Sequence, residues 1–143
     1  MNCDGNKQRS GALHLTQKVD YGILLLSSLA NSDGQTSIQS IADSTNLSLA
    51  YLQKIARLLK KAGLIKASRG SRGGYALTKD PNQLNLKQIV EALEGEIALA
   101  PCLKRISTHV CKNQSICKIR GGIQELNQEI TAHLSSKNLT QFI

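Results

Sequence analysis

Apolar residues recur at helical spacing through residues 15–30, where Val19, Ile23, Leu24, Leu26, Leu29 and Ala30 are expected to face a core. The turn formers Asn31, Ser32, Asp33 and Gly34 then break the pattern. Ser37 can cap a short second helix carrying Ile38, Ile41 and Ala42 inward. After a tight connection at Thr45, Asn46 and Leu47, Ser48 can cap a third helix that buries Leu49, Leu52, Ile55, Ala56 and Leu59. Gly63 is a good left-handed terminator for it. The period then changes, and GLIKAS and GYALT read as two short strands around the turn RGSRGG, with Tyr75 in the hairpin core. Asn85, three residues before Gln88, has the form of a capping box opening a fourth helix with Leu86, Ile89, Val90 and Leu93 inward and Gly95 at its end. Farther on, Ile119, Ile123, Leu126, Ile130 and Leu134 fall on one stripe of a long final helix.

Three helices followed by a hairpin predict a winged helix-turn-helix: a mainly α fold with a two-stranded β wing and a long C-terminal dimerisation helix. The expected organisation is a disordered tail over 1–13 (with Cys3 an exposed, unligated thiol), a DNA-binding domain over 14–84 and a linker helix over 85–101. A cysteine loop over 102–117 and a dimerisation helix with its tail over 118–143 complete it. The winged core looks complete without the final stripe. Self-association is therefore its simplest outlet, and a homodimer matches a two-fold, palindromic DNA site.

Charge sharpens this picture. The net charge is +8, and between positions 54 and 79 stand Lys54, Arg57, Lys60, Lys61, Lys66, Arg69, Arg72 and Lys79 with no acidic residue. The rest of the chain carries equal numbers of each sign, so the whole excess sits on the third helix and the wing. A concentrated basic patch is the electrostatic footprint of a nucleic-acid or anionic-membrane partner, and the helix-turn-helix pattern makes double-stranded DNA the expected one. Ser48, Tyr51, Gln53 and Lys54, near the start of the reading helix, are candidates for base or phosphate contacts. Lys18, Arg57, Arg69 and Arg72 are candidates for phosphate, and Arg69, Ser71, Arg72 and Gly73 bring the wing to the minor groove or backbone. No apolar run approaches the roughly 18 residues of a membrane span, and the N-terminus does not resemble a signal peptide. A cytoplasmic, non-enzymatic protein is expected, with neither a dinucleotide fingerprint nor a nucleophile–base pair.

The candidate chemistry lies in CLKRISTHVCKNQSIC, residues 102–117, with the spacing C-x8-C-x5-C. A disulfide would leave one thiol over and suits an oxidising compartment. Zinc could take Cys102, His109, Cys111 and Cys117, although the spacing matches no compact finger. An iron–sulfur cluster is larger and can accept three thiolates from a loose loop. From these residues alone, zinc and cluster stand level, and a switch using bare thiols keeps the same fold. Lys104, Arg105, Lys112 and Lys118 would offset thiolate charge. An iron–sulfur electron carrier is a further rival, against which stands the absence of a fourth cysteine in the loop.

Several segments together resemble the IscR/NsrR-type winged-helix regulators, from about Leu13 to the end of the chain. LTQKVDYGILLLSSLA is similar to the family's first helix and LSLAYLQKIARLLKKAGLI to its recognition helix. ASRGSRGGYALT is similar to its wing, EALEGEIAL to its linker and NLTQFI to its C-terminal ending. ALEGEIAL before the cysteine spacing looks closest to the subgroup regulating SUF iron–sulfur assembly genes. The resemblance implies a repressor of iron–sulfur assembly, iron or oxidative-stress genes, with a 2Fe–2S or 4Fe–4S cluster on Cys102, Cys111 and Cys117. It also implies a fourth ligand, for which the NsrR branch points to Asp20 of the partner subunit; His109 is the runner-up. Two departures stand out. The wing has Ser71 and Arg72 where the family commonly has Pro-Gly, and Arg120 stands where the IscR branch has a histidine ligand. A guanidinium stays protonated and cannot coordinate iron.

Overall fold

The computed structural model describes residues 14–105 and 111–143; the expectations for the tail, Cys3 and His109 lie outside them. The described elements run α1 (Gln17–Ala30), α2 (Ile38–Thr45), α3 (Leu49–Lys61), β1 (Ile65–Ser68), β2 (Gly74–Leu77), α4 (Leu86–Glu94) and α5 (Arg120–Ser136). Short 3-10 turns occupy Pro81–Gln83, Pro101–Leu103 and Leu139–Phe142. The result is the expected winged helix-turn-helix with a long C-terminal helix.

Local chemistry sets the helix starts. The side chains of Thr16, Ser37 and Ser48 accept hydrogen bonds from the amides of Val19, Ser40 and Tyr51, satisfying donors that the first turn leaves without partners. Asn85 and Gln88 form the full reciprocal capping box. Between α2 and α3, Asn46 takes a left-handed conformation (φ 55°), which its short polar side chain tolerates, and so keeps the reading pair tightly joined.

The hairpin pairs antiparallel from Ile65 opposite Leu77 to Ser68 opposite Gly74. A further rung ties it to the reading pair: the amides of Thr36 and Tyr75 each donate to the other's carbonyl at 2.9 Å. A Cβ on Gly74 would lie 2.6 Å from the Thr36 carbonyl oxygen, so only glycine fits this approach. Tyr75 packs half-buried against the core, as expected.

The core gathers Leu25, Leu26, Ile41, Leu52, Ile55, Leu59, Ile65, Leu84, Ile89 and Leu139. Two placements differ from the sequence expectation. Leu24 is 39% exposed while Leu25 is fully buried. In a run of four apolar residues, periodicity alone does not say which one faces out. The inward arc of α1 runs through Val19, Gly22, Ile23, Leu25, Leu26 and Leu29, and Leu24 lies roughly opposite it at 100° per residue.

The second difference is at the C-terminus, where Leu139 is fully buried and Leu134 packs against the core. The Leu139 amide donates to the Leu84 carbonyl and the Leu86 amide to the Lys137 carbonyl, both at 2.8 Å. Ser27 Oγ donates to the Phe142 carbonyl at 3.1 Å. The core is therefore incomplete without this segment. Along α5 itself no residue is fully buried: Ile119 and Leu126 are 67% and 48% exposed, and Ile123 and Ile130 are half-buried.

Candidate nucleic-acid interface and cysteine loop

The helix α3 divides by face. Leu52, Ile55, Ala56 and Leu59 are buried, whereas Ser48, Gln53, Lys54 and Arg57 are exposed. Tyr51 is half-buried, its ring set edge-on to Tyr21 with centroids 5.7 Å apart, so it also braces α3 on α1. Arg69, Ser71 and Arg72 are exposed at the wing tip. Gly73 closes the turn, its amide donating to the Gly70 carbonyl at 2.9 Å, and a Cβ there would meet the Ser68 carbonyl oxygen at 2.6 Å. Among the described residues, Lys54, Arg57, Arg69 and Arg72 form no ion pair, which leaves their charge available to an anionic partner.

Between the wing and the start of α2 lies an open cleft of about 990 Å³, lined by Gln35, Thr36, Ser37 and Ser40 opposite residues 68–73. The sequence reading used Ser37 only as a cap. The signal was present as a run of small polar side chains just ahead of a helix start, but the rung between Thr36 and Tyr75 is what brings it to the wing.

Lys18 is engaged differently from the other basic candidates. Its ammonium donates to the Leu93 carbonyl at 2.8 Å and to Glu94 Oε2 at 3.0 Å. Thr16 donates to the other oxygen of the same carboxylate. The Thr16 hydrogen bond holds the Glu94 carboxyl below its ordinary pKa; partial burial opposes this, and the hydrogen bond and charge of Lys18 reinforce it. A DNA phosphate reaching Lys18 therefore competes with the end of α4.

Beyond Gly95 the chain turns along α5. The Arg105 amide donates to Glu96 Oε2 at 2.9 Å, its guanidinium lies 3.7 Å from Oε1, and the Leu99 amide donates to Asn127 Oδ1 at 2.8 Å. Cys102 sits in the 3-10 turn Pro101–Leu103, and Cys111 and Cys117 flank the turn at 112–116. All three are free, half-buried thiols. Among the described residues, no three Cys, His, Asp or Glu side chains are gathered as a metal site, and Asp20 is exposed in the first turn of α1. The donor chemistry fits a cluster: three soft thiol ligands with Lys104, Arg105, Lys112 and Lys118 exposed around them.

Capped reading helix, basic wing and unpaired arginines define a winged helix-turn-helix DNA-binding protein. Over residues 15–143 the chain matches the family model Rrf2, described as iron-dependent transcriptional regulator, and it belongs to that family. It is 32% identical over 121 residues to the transcriptional regulator CymR of Bacillus subtilis, covering 83% of this chain and 86% of CymR. It is 31% identical over 115 residues to the regulator NsrR of Shouchella clausii, covering 79% and 76%. The solved structure of B. subtilis CymR, titled the global cysteine regulator, superposes with a TM-score of 0.72 at 30% identity, over 91% of this chain and 95% of that one. The structure of T. potens IscR gives 0.65 at 27% identity, over 92% and 86%. The chain is thus a transcriptional regulator, and among its described residues no helix is long and apolar enough to cross a membrane.

Proposed function

We propose that this regulator is a cytoplasmic, homodimeric repressor of iron–sulfur assembly, iron or oxidative-stress genes, sensing through an iron–sulfur cluster held by Cys102, Cys111 and Cys117. The observation that carries this reading is the set of three free thiols at C-x8-C-x5-C, between a DNA-reading domain and α5, in a family described as iron-dependent. Asp20 of the partner subunit is the proposed fourth ligand, on the resemblance of the first helix to the NsrR branch. When bound, a cluster supplies a group that oxidants or iron shortage can remove. Lys104, Arg105, Lys112 and Lys118 would balance its thiolate charge, and a cluster held between the linker and the start of α5 would couple its presence to the spacing of the reading heads.

On DNA, the two α3 helices enter successive major grooves of a palindromic operator. Ser48, Tyr51, Gln53 and Lys54 face bases and backbone, and Arg57, Arg69, Ser71, Arg72 and Gly73 hold phosphate or the minor groove. Lys18 joins them where phosphate displaces Glu94. The cleft of Ser37 and Ser40 beside the wing extends the phosphate-binding surface.

A second reading keeps the fold and uses bare thiols as the switch; the similarity to Staphylococcus aureus CymR, solved in an oxidized form, favours it. Anaerobic purification separates the two. The cluster reading expects a coloured protein that shifts palindromic DNA, and a Cys111→Ala variant with no visible absorption and changed operator affinity. A colourless protein whose operator binding follows thiol oxidation supports the second reading. Full absorbance in the Cys111→Ala protein removes Cys111 from the ligand set.

A further inference from the structure

The inner side of α5 is polar where it crosses its own domain. A cleft of about 910 Å³ runs between α4, the linker and α5, within the size range of metabolite sites. Arg120, Gln124, Asn127, Gln128, Thr131 and Ser135 line it from α5. Steps of three and four residues place these six on one face.

Two hydrogen bonds fix the direction of the opposite wall. The Leu86 amide on the Lys137 carbonyl puts the start of α4 beside the end of α5. The Leu99 amide on Asn127 puts the middle of the linker beside the middle of α5. The linker then carries Cys102, Lys104 and Arg105 toward the first turns of α5, where Arg120 stands.

Charge in the cleft is unbalanced. Lys87, Lys104, Arg105 and Arg120 face Glu91 and Glu96, and Glu96 is already paired with Arg105. Three cations are left against one carboxylate. Moreover, Arg120 Nε is buried without a hydrogen-bond partner among the described residues, as is Thr131 Oγ1. Buried donors of this kind are rare in native proteins and point to a missing acceptor. Thr131 lies about 16 Å from Arg120 along the helix axis, too far to share one small molecule. The cleft has no aromatic residue on which a base could stack.

We infer that the Arg120 end of this cleft binds a small polycarboxylate metabolite, one carboxylate on Arg120 and another within reach of Lys104. Such a ligand bridges α5 to the linker that carries Cys102. It holds the turn that carries Cys102 against the first turn of α5. In this chain the role of Arg120 is anion capture.

The test is calorimetric titration of the full-length, anaerobically isolated protein with citrate and with succinate, against sodium chloride at matched ionic strength. Citrate or succinate is expected to bind saturably. Arg120→Gln should weaken that binding by ~10- to 100-fold, the scale of a lost charge-assisted hydrogen bond, while Thr131→Val keeps it. Absence of saturable binding by either acid, equal binding in Arg120→Gln, or equal loss in both variants overturns the inference. The titration contains no DNA and does not depend on visible absorption, so its outcome is separate from that of the cluster reading.

Discussion

Glu94 joins two parts of the chain that are far apart in sequence: Lys18, 76 positions upstream, and Thr16, 78 upstream, both bind its carboxylate. Because its native pKa is depressed, the ionised form contributes stability above the ordinary glutamate value of about 4.3. That contribution disappears as pH falls through the lower native value. Denaturant midpoints of wild type and Glu94→Gln, compared from neutral pH downward, should therefore differ most above ~4.3 and converge in stronger acid. A gap that stays constant with pH would show that the junction is steric. Residues also show why some features were legible and others not. Ser37, Ser48 and the pair Asn85 and Gln88 act within three positions of themselves, so their capping could be read from a few letters. The partner of Lys18 could not, because only the packing of α1 on α4 creates it.

Among the elements, α1 to α4 and the hairpin announce themselves through period and punctuation. The final segment does not. Its apolar stripe reads as an interface for another copy, yet Leu134 and Leu139 belong to the chain's own core and only part of the stripe, with Ile119 and Leu126, is left outward. Sequence periodicity records that a face is apolar without naming what covers it. Leu139→Ala should cost about 2–5 kcal/mol, as for a fully buried leucine, whereas Leu24→Ala should stay within about 0.5 kcal/mol. Thermal or urea unfolding of the two variants measures the contrast. Equal losses would contradict the phase assigned to α1 and the burial of the tail. The cysteine loop shows the same limit: spacing identifies three thiols, but what closes them around a cofactor is not written in C-x8-C-x5-C.

For the whole molecule, the dominant feature is segregation of charge. The net charge of +8 is concentrated between positions 54 and 79, on α3 and the wing, the surface proposed above to meet DNA. Operator binding should weaken steeply with salt, because each neutralised phosphate releases a counterion. Arg72→Ala removes one phosphate contact per protomer, two in the proposed dimer, and should make the slope of log K against log salt shallower by about 2. An unchanged slope with reduced affinity would place Arg72 on a base edge or in a structural role.

The rung between Thr36 and Tyr75 has an evolutionary corollary. The base of the wing is keyed to Thr36, just ahead of the cap of α2, and at Gly74 no side chain fits. The tip side chains Arg69, Ser71 and Arg72 are exposed and carry no such constraint. Heritable change is thereby channelled: a lineage can retune its target sites by drifting at the tip, while mutations at the root are purged with the fold. In this chain Ser71 and Arg72 occupy that tip, where a changed side chain alters what the wing touches and leaves the fold intact.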